Sequence, residues 1–95
     1  MSCTLYVGHV NGQTILRITG DIDRANVQRL SDTLALIDDG PIEVDCAKLE
    51  FIDAAGIQAL AEAARAHGGL TLRNPPSFLS RLVNALEVSE LLRPA

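Results

Sequence analysis

The spacing of apolar residues along this chain switches repeatedly between a period of two and a period near 3.6. That alternation restricts it to folds in which helices cross over between strands. Residues 42–46 carry the first period most cleanly, with Ile42, Val44 and Cys46 alternating against Glu43 and Asp45, as a strand with one buried face requires. Residues 54–67 carry the second. There Ile57, Leu60, Ala61 and Ala64 share one helical face while Gln58, Glu62 and Arg65 occupy the other, the pattern of a helix lying on a core.

The remaining segments fit around these two. Residues 4–10 and 13–19 read as strands joined by Asn11-Gly12, a dipeptide whose tolerance of positive φ suits a type I′ hairpin turn. Gly20 is expected to end the second strand and open the polar loop Asp21-Ile22-Asp23-Arg24-Ala25. Asn26 is a candidate N-cap for a helix with Val27, Leu30, Leu34 and Ile37 on its inner stripe, stopped by Gly40-Pro41. After the strand at 42–46, Leu49, Phe51 and Ile52 form a short connector ending at Asp53. Gly68-Gly69 stops the helix over 54–67, whose last turn holds Arg65 and His67 where the macrodipole favours positive charge. A short strand follows at 70–73. Beyond Asn74-Pro75-Pro76, Ser77 is a candidate cap for a third helix carrying Leu79, Leu82, Val83 and Leu86, and Val88, Leu91 and Leu92 make an apolar tail. The expected fold class is α/β, a single domain over residues 1–95 with helices packed on a mixed β-sheet, in the order β-β-α-β-α-β-α.

Composition narrows the function. Ninety-five residues fill one core. With 47% apolar residues but 3% aromatics, that core is aliphatic. The net charge of −4, a single lysine at Lys48 and arginines scattered from Arg17 to Arg93 argue against a nucleic-acid partner, which needs clustered positive charge. Cys3 and Cys46 are far apart, without a C-x-x-C pair or a histidine at ligand spacing, so no metal and no cofactor is expected. No apolar run approaches the length of a membrane span, and no signal-like segment is evident. Direct membrane insertion is therefore not expected, and the cytoplasm is the expected location. Asp21, Asp23 and Asp53 raise the question of a paired-carboxylate enzyme, but neither His9 nor His67 belongs to a nucleophile motif and there is no glycine-rich phosphate loop. The expectation is a protein that is not an enzyme.

Gly20-Asp21-Ile22-Asp23, Ile42-Glu43-Val44-Asp45-Cys46, Phe51-Ile52-Asp53-Ala54-Ala55-Gly56 and Leu70-Thr71-Leu72 follow one another in the order of a known family. Together they resemble a STAS domain of the anti-sigma-factor antagonist kind, over nearly the whole chain. In that family a kinase that is also the anti-sigma factor phosphorylates a serine in the pattern Asp-Ser-Ser-Gly, and the unphosphorylated antagonist binds the kinase. The resemblance matches Asp53 and Gly56 to this pattern, but places Ala54 where the phosphorylated serine stands and Ala55 at the second serine. It implies a partner-binding surface of Asp23, Asp53, Ala54, Ala55, Gly56, Ile57 and Gln58, with no phosphorylation at Ala54. The implied partner is an anti-sigma factor, a GHKL-type kinase. Free-standing STAS domains that bind the ATPase of an ABC transporter, some in lipid transport, imply a second possibility, and a scaffold subunit of a signalling assembly a third. Oligomeric state is left open.

Each of these residues also has a purely structural explanation. Asp53 caps a helix by accepting from Ala55 or Gly56 N–H, a role worth about 1 kcal/mol. Gly56 admits a close backbone approach. Asp21 and Asp23 serve as solvated loop acids near a helix start, and Ile57 has core spacing with Leu60 and Ala61. Asp38-Asp39 reads as a solvated acidic pair without function.

Overall fold

A computed structural model describes residues 2–38 and 40–95 of the protein. The chain opens with an antiparallel hairpin, β1 (Cys3–Val10) and β2 (Gln13–Ile22), in continuous register from Cys3 opposite Gly20 to Val10 opposite Gln13. Its turn has φ of 51° at Asn11 and 80° at Gly12, the paired positive angles of a type I′ turn. Three crossovers follow. α1 (Val27–Ala35) leads to β3 (Ile42–Ile52), α2 (Ala54–His67) to β4 (Leu70–Arg73), and α3 (Ser77–Ala85) to β5 (Leu92–Pro94). The strands lie side by side in chain order, β1-β2-β3-β4-β5, and every pairing after the hairpin is parallel.

Crossovers of one hand in a sheet whose order never reverses deliver their helices to one face. Burial follows. Leu16, Ile18 and Ile22 of β2, Val44, Cys46 and Ile52 of β3, and Leu70 and Leu72 of β4 meet Leu30, Ile57, Leu60, Ala64 and Leu79 from the helices in one aliphatic cluster. Among the described residues, the opposite face of the sheet carries no helix. Across it Tyr6, Arg17, Asp45 and Arg73 stand in one register row. Arg17 Nε lies 3.4 Å from Asp45 Oδ2, an ion pair whose arginine is 54% exposed and so contributes below about 1 kcal/mol.

Several boundaries differ from the sequence reading, each for a local reason. Gly20 does not end β2. The strand runs on to Ile22, and Gly20, at φ 96°, allows the Ser2 carbonyl to approach and accept from Asp21 N–H at 3.1 Å. The register against β3 shifts at this point, so the glycine marks a bulge within a strand. The connector carrying Leu49, Phe51 and Ile52 is likewise part of β3, which continues through the same irregularity.

Asn26 does not cap α1 with its side chain. The helix ends at Ala35, where Leu36 and Ile37 N–H donate to the Thr33 and Leu34 carbonyls in a tightened turn before Gly40-Pro41 is reached. Asp39 of the acidic pair lies outside the described residues. Pro76, not Ser77, sits at the N-cap of α3, and its carbonyl accepts from Leu79 and Ser80 N–H. The apolar tail ends in β5, a fifth strand, with Leu92 buried opposite Leu70. Glu43, expected on a solvated face, is buried because Gln13 Nε2–H donates to its Oε2 at 3.0 Å while Arg73 closes over it. Its Oε1 is in ion-pair contact with Arg73 Nε but outside hydrogen-bonding geometry.

Two measurements check this core. Burial first, and the neighbouring Asp45 charge second, push the Cys46 thiol up to about 12, so it stays protonated in the fold at neutral pH. The unfolded chain releases that proton near its free value of about 8.5, so this contribution to stability is complete below that pH and declines as pH rises toward 12. Native protein treated with iodoacetamide at pH 8 is expected to leave Cys46 unmodified, and denaturant to expose it, as read by peptide mass. At Asp45, burial by itself raises the carboxyl. The Ala47 N–H, the Asn74 side chain and the Arg17 guanidinium together outweigh burial and hold it below its ordinary 3.8. The resulting stabilisation is complete above the unfolded carboxyl's value and is lost as pH falls through the folded one. Asp45→Asn is expected to lower the melting temperature at pH 7, with the deficit shrinking toward strong acid.

Candidate functional site

The parallel pair β2 and β3 ends level, with Ile22 opposite Ile52. The next residue of each strand is an aspartate, and Asp53 N–H donates to the Ile22 carbonyl at 3.2 Å. Asp23 and Asp53 therefore emerge side by side at the carboxyl edge of the sheet, each half-buried and each leading into a helix.

The loop after β2 is pinned by Asn26, which is 7% exposed. Its Oδ1 accepts from Asp23 N–H at 2.9 Å, and its Nδ2–H donates to the Asp21 carbonyl at 2.8 Å. Asp23 turns its own Oδ1 onto Ala25 N–H at 2.9 Å, and its carbonyl accepts from Asn26 and Val27 N–H. Asn26 thus faces back into the strand end and satisfies it, which is why it cannot also cap α1. The sequence reading missed this role, although an Asp-x-x-Asn spacing directly after a strand is the signal that marks such a closed Asx turn.

At the start of α2, Asp53 is the N-cap, in extended conformation, and its Oδ1 accepts from Gly56 N–H at 3.1 Å. Ala54 is exposed, Ala55 half-buried and Gln58 exposed. Gly56 and Ile57 are buried, and Ile57 is fully enclosed in the core, so the surface implied for these two positions is not presented by their side chains. Gly56 has an ordinary helical φ but no room for a side chain. A Cβ there would lie 2.5 Å from Ile52 Cγ1 and 2.8 Å from Ile22 Cγ2. Its small size seats the first turn of α2 directly on the last residues of both strands.

The face so formed consists of Asp23, Asp53, Ala54, Ala55 and Gln58, bordered by Phe51, which is 45% exposed on the sheet side opposite the core, in register with Asp21. Phe51 was missed as a surface residue because the register shift in β3 turns it outward. Asp21 lies in β2 and not in a loop. The histidines lie elsewhere. His9 is on β1 with Nδ1 3.3 Å from Thr14 Oγ1, and His67 Nδ1–H donates to the Gly40 carbonyl at 3.0 Å at the far end of α2. No group of His, Cys, Asp and Glu among the described residues is arranged to hold a metal ion, and no helix of the described residues is long and apolar enough to cross a membrane.

A profile of the family described as "Mlab, STAS domain" matches residues 7–93, and the chain belongs to the STAS-domain family. Among solved structures it is similar to an anti-sigma factor antagonist from Mycobacterium paratuberculosis, with a TM-score of 0.84 at 16% identity, covering 98% of this chain and 85% of that one. It is also similar to the anti-sigma factor antagonist SpoIIAA in its unphosphorylated form, with a TM-score of 0.77 at 14% identity over 97% of this chain and 88% of that one. The phosphorylated form of SpoIIAA, a Bacillus cell fate determinant, gives 0.71 at 16% identity over 97% and 91%. At these identities the likeness is one of fold. No curated protein sequence matches the chain significantly.

The geometry generates a paired test by chemical denaturation. Gly56→Ala is expected to destabilise the fold by about 1–3 kcal/mol, because its methyl group meets two branched side chains with no space to yield. Asp53→Ala, which removes only the cap, is expected to cost about 1 kcal/mol. Equal stability of the glycine variant and the parent would contradict the close seating of α2.

Proposed function

We propose that the protein is a non-enzymatic binding module of the anti-sigma-factor antagonist kind, docking through the face around Asp23, Asp53, Ala54, Ala55 and Gln58, and permanently competent to bind. The observation that carries this reading is the pair Ala54-Ala55 at the exposed start of α2, where the family's pattern has serines. The whole stretch from residue 34 to residue 70 contains no serine, threonine or tyrosine. A phosphate at a helix start brings between one and two negative charges to the surface, roughly 1.5–2 at pH 7. It is well placed there because the first N–H groups and the macrodipole favour an anion. Alanine offers no oxygen to carry it, so positions 54 and 55 stay small, apolar and uncharged, as an unmodified helix start would be. The two aspartates supply fixed negative charge for a basic partner surface. In this reading the favoured partner is an anti-sigma factor of the GHKL-type kinase class, and control rests with the abundance of either protein or the state of the partner.

A second reading takes the same face to the ATPase of an ABC transporter, of the lipid-transport type. The observation behind it is that the matching family profile is described as Mlab and carries no sigma-factor role in its description. A subunit that remains attached to its ATPase has no need of a reversible charge on the contact surface, so the missing serine suits this reading as well.

Affinity capture from the host, read by mass spectrometry, separates the two. Recovery of a small GHKL-type ATPase supports the first, and of a transporter ATPase the second. With that partner in hand, Ala54→Asp is expected to weaken binding by about tenfold or more, the size of effect that an unpaired charge in a contact of this kind produces. Ala54→Ser is expected to bind like the parent until a kinase modifies it. A parent chain that gains a phosphate from the partner and ATP, and releases the partner on doing so, would overturn the proposal of permanent competence.

A further inference from the structure

The two edges of the sheet are built very differently. β5 is three residues long and contains Pro94, and both features discourage another strand from adding to it. β1, at the other edge, is eight residues long, with no proline, no lysine, no carboxylate and no bulge. It also exposes apolar side chains on both of its faces. Tyr6 is 61% exposed and Val10 54% on the open face of the sheet, and Val7 is exposed on the helix side. Val7 lines a groove of about 300 Å³ with His9, Thr33, Leu36, Ile37 and Asp38, and Leu36, at 84%, is the most exposed of the large apolar side chains. Proteins ordinarily blunt a long edge strand with charge, proline or a bulge. None of these devices is built into β1 itself.

Charge identifies the occupant. α1 runs alongside β1 in the same direction. Near its start, Arg29 Nη1–H donates to the Cys3 carbonyl at 3.2 Å, and just beyond its end Asp38 borders the groove beside His9. The edge thus has a positive group at the Cys3 end and a negative group at the His9 end, with an uncharged apolar strip between them. A two-fold axis through the middle of the strand reverses that polarity. It places Arg29 of each copy by Asp38 of the other, while the strands that meet carry no like charges to oppose one another. For a chain of net charge −4, this is a strip along which two copies approach without repulsion.

We infer that β1 pairs antiparallel with β1 of a second copy, joining two five-stranded sheets into one, with Tyr6 near the two-fold axis and Arg29 facing Asp38 of the second copy. Backbone hydrogen bonds along the strand supply the attraction, and Tyr6, Val7 and Leu36 leave water on the two sides of the joint. The sequence reading gave Asp38 no function. Here it sets the direction of pairing. The partner-docking faces at the carboxyl ends of β2 and β3 then point away from each other, so each copy keeps its own face open.

Sedimentation velocity over a concentration series is expected to show a monomer–dimer equilibrium in the full chain. Val7→Lys, checked for folding by circular dichroism, is expected to abolish the dimer, and Asp38→Arg to weaken it by about tenfold or more. The register is read by oxidation. Residues directly opposite in an antiparallel pair have Cα atoms about 4.5–5.5 Å apart, within disulfide range. Tyr6→Cys is therefore expected to form a covalent dimer, and Val10→Cys, similarly exposed but far from its own counterpart, to remain uncrosslinked. A parent chain that stays monomeric at every concentration overturns the inference and leaves the strip to a foreign strand. So does a dimer that survives Val7→Lys, or one in which Val10→Cys crosslinks and Tyr6→Cys does not.

Discussion

The seating of Gly56 on Ile22 and Ile52 is the contact on which the rest of this structure turns. The space that a Cβ would need is already filled by those two isoleucines, so the first turn of α2 rests on the ends of β2 and β3 at the distance that only a missing side chain allows. From that seating Asp53 caps the helix while its own N–H donates to the end of β2, and Asp23 stands in the neighbouring position. The apolar side chains beneath, Ile57 and Leu60, complete the wedge and are fully buried. The candidate face is therefore laid on the first turn of α2 with Asp23 held beside it by Asn26, and its small residues face outward because its large ones are used below.

Much of this was legible in the sequence. The hairpin declared itself through Asn11-Gly12, α2 through its apolar stripe and its Gly68 terminus, and the aliphatic core through the shortage of aromatics. What was misread depended on tertiary partners that local pattern does not encode. Gly20 reads as a stop because glycine usually is one, yet here Ser2 crosses above it and the strand continues. Asn26 has the chemistry of a cap, but two backbone groups at the end of β2 compete for its amide and win. β5 is too short to show a period, and it exists because β4 offers a free edge. Phe51 faces outward because a register shift between Leu49 and Phe51 inverts the alternation. At the candidate face, Asp53, Ala54 and Gly56 were implied by the family resemblance, which does not distinguish the exposed Ala54 and Gln58 from the buried Gly56 and Ile57.

The two faces of the sheet divide the physical work. On the helix side, small residues such as Ala61 and Ala64 are fully buried and let α2 lie close to the strands, so a modest aliphatic cluster suffices without aromatic bulk. On the other side Arg17, Asp45, Glu43 and Arg73 form a polar lattice whose long side chains cover the strands and shield Glu43 from water. The stems of these side chains bury apolar surface while the charged ends remain wet. Among the described residues, this polar cover takes the place that a helix layer holds on the other face.

The side-by-side strand order also governs how the chain assembles. Only the β1–β2 pairing joins neighbours through a tight turn, and a hairpin of that kind closes on the microsecond scale, about 1–10 μs. Each parallel pairing must wait until an entire crossover has condensed, since contacts distant in sequence are reached only after the entropy of a long loop has been lost. The ledge that receives α2 joins the two strands flanking the first crossover, so it comes into being only when β3 has docked. The candidate face therefore depends on a pairing between segments distant in sequence, whereas the hairpin beside it depends on a local one.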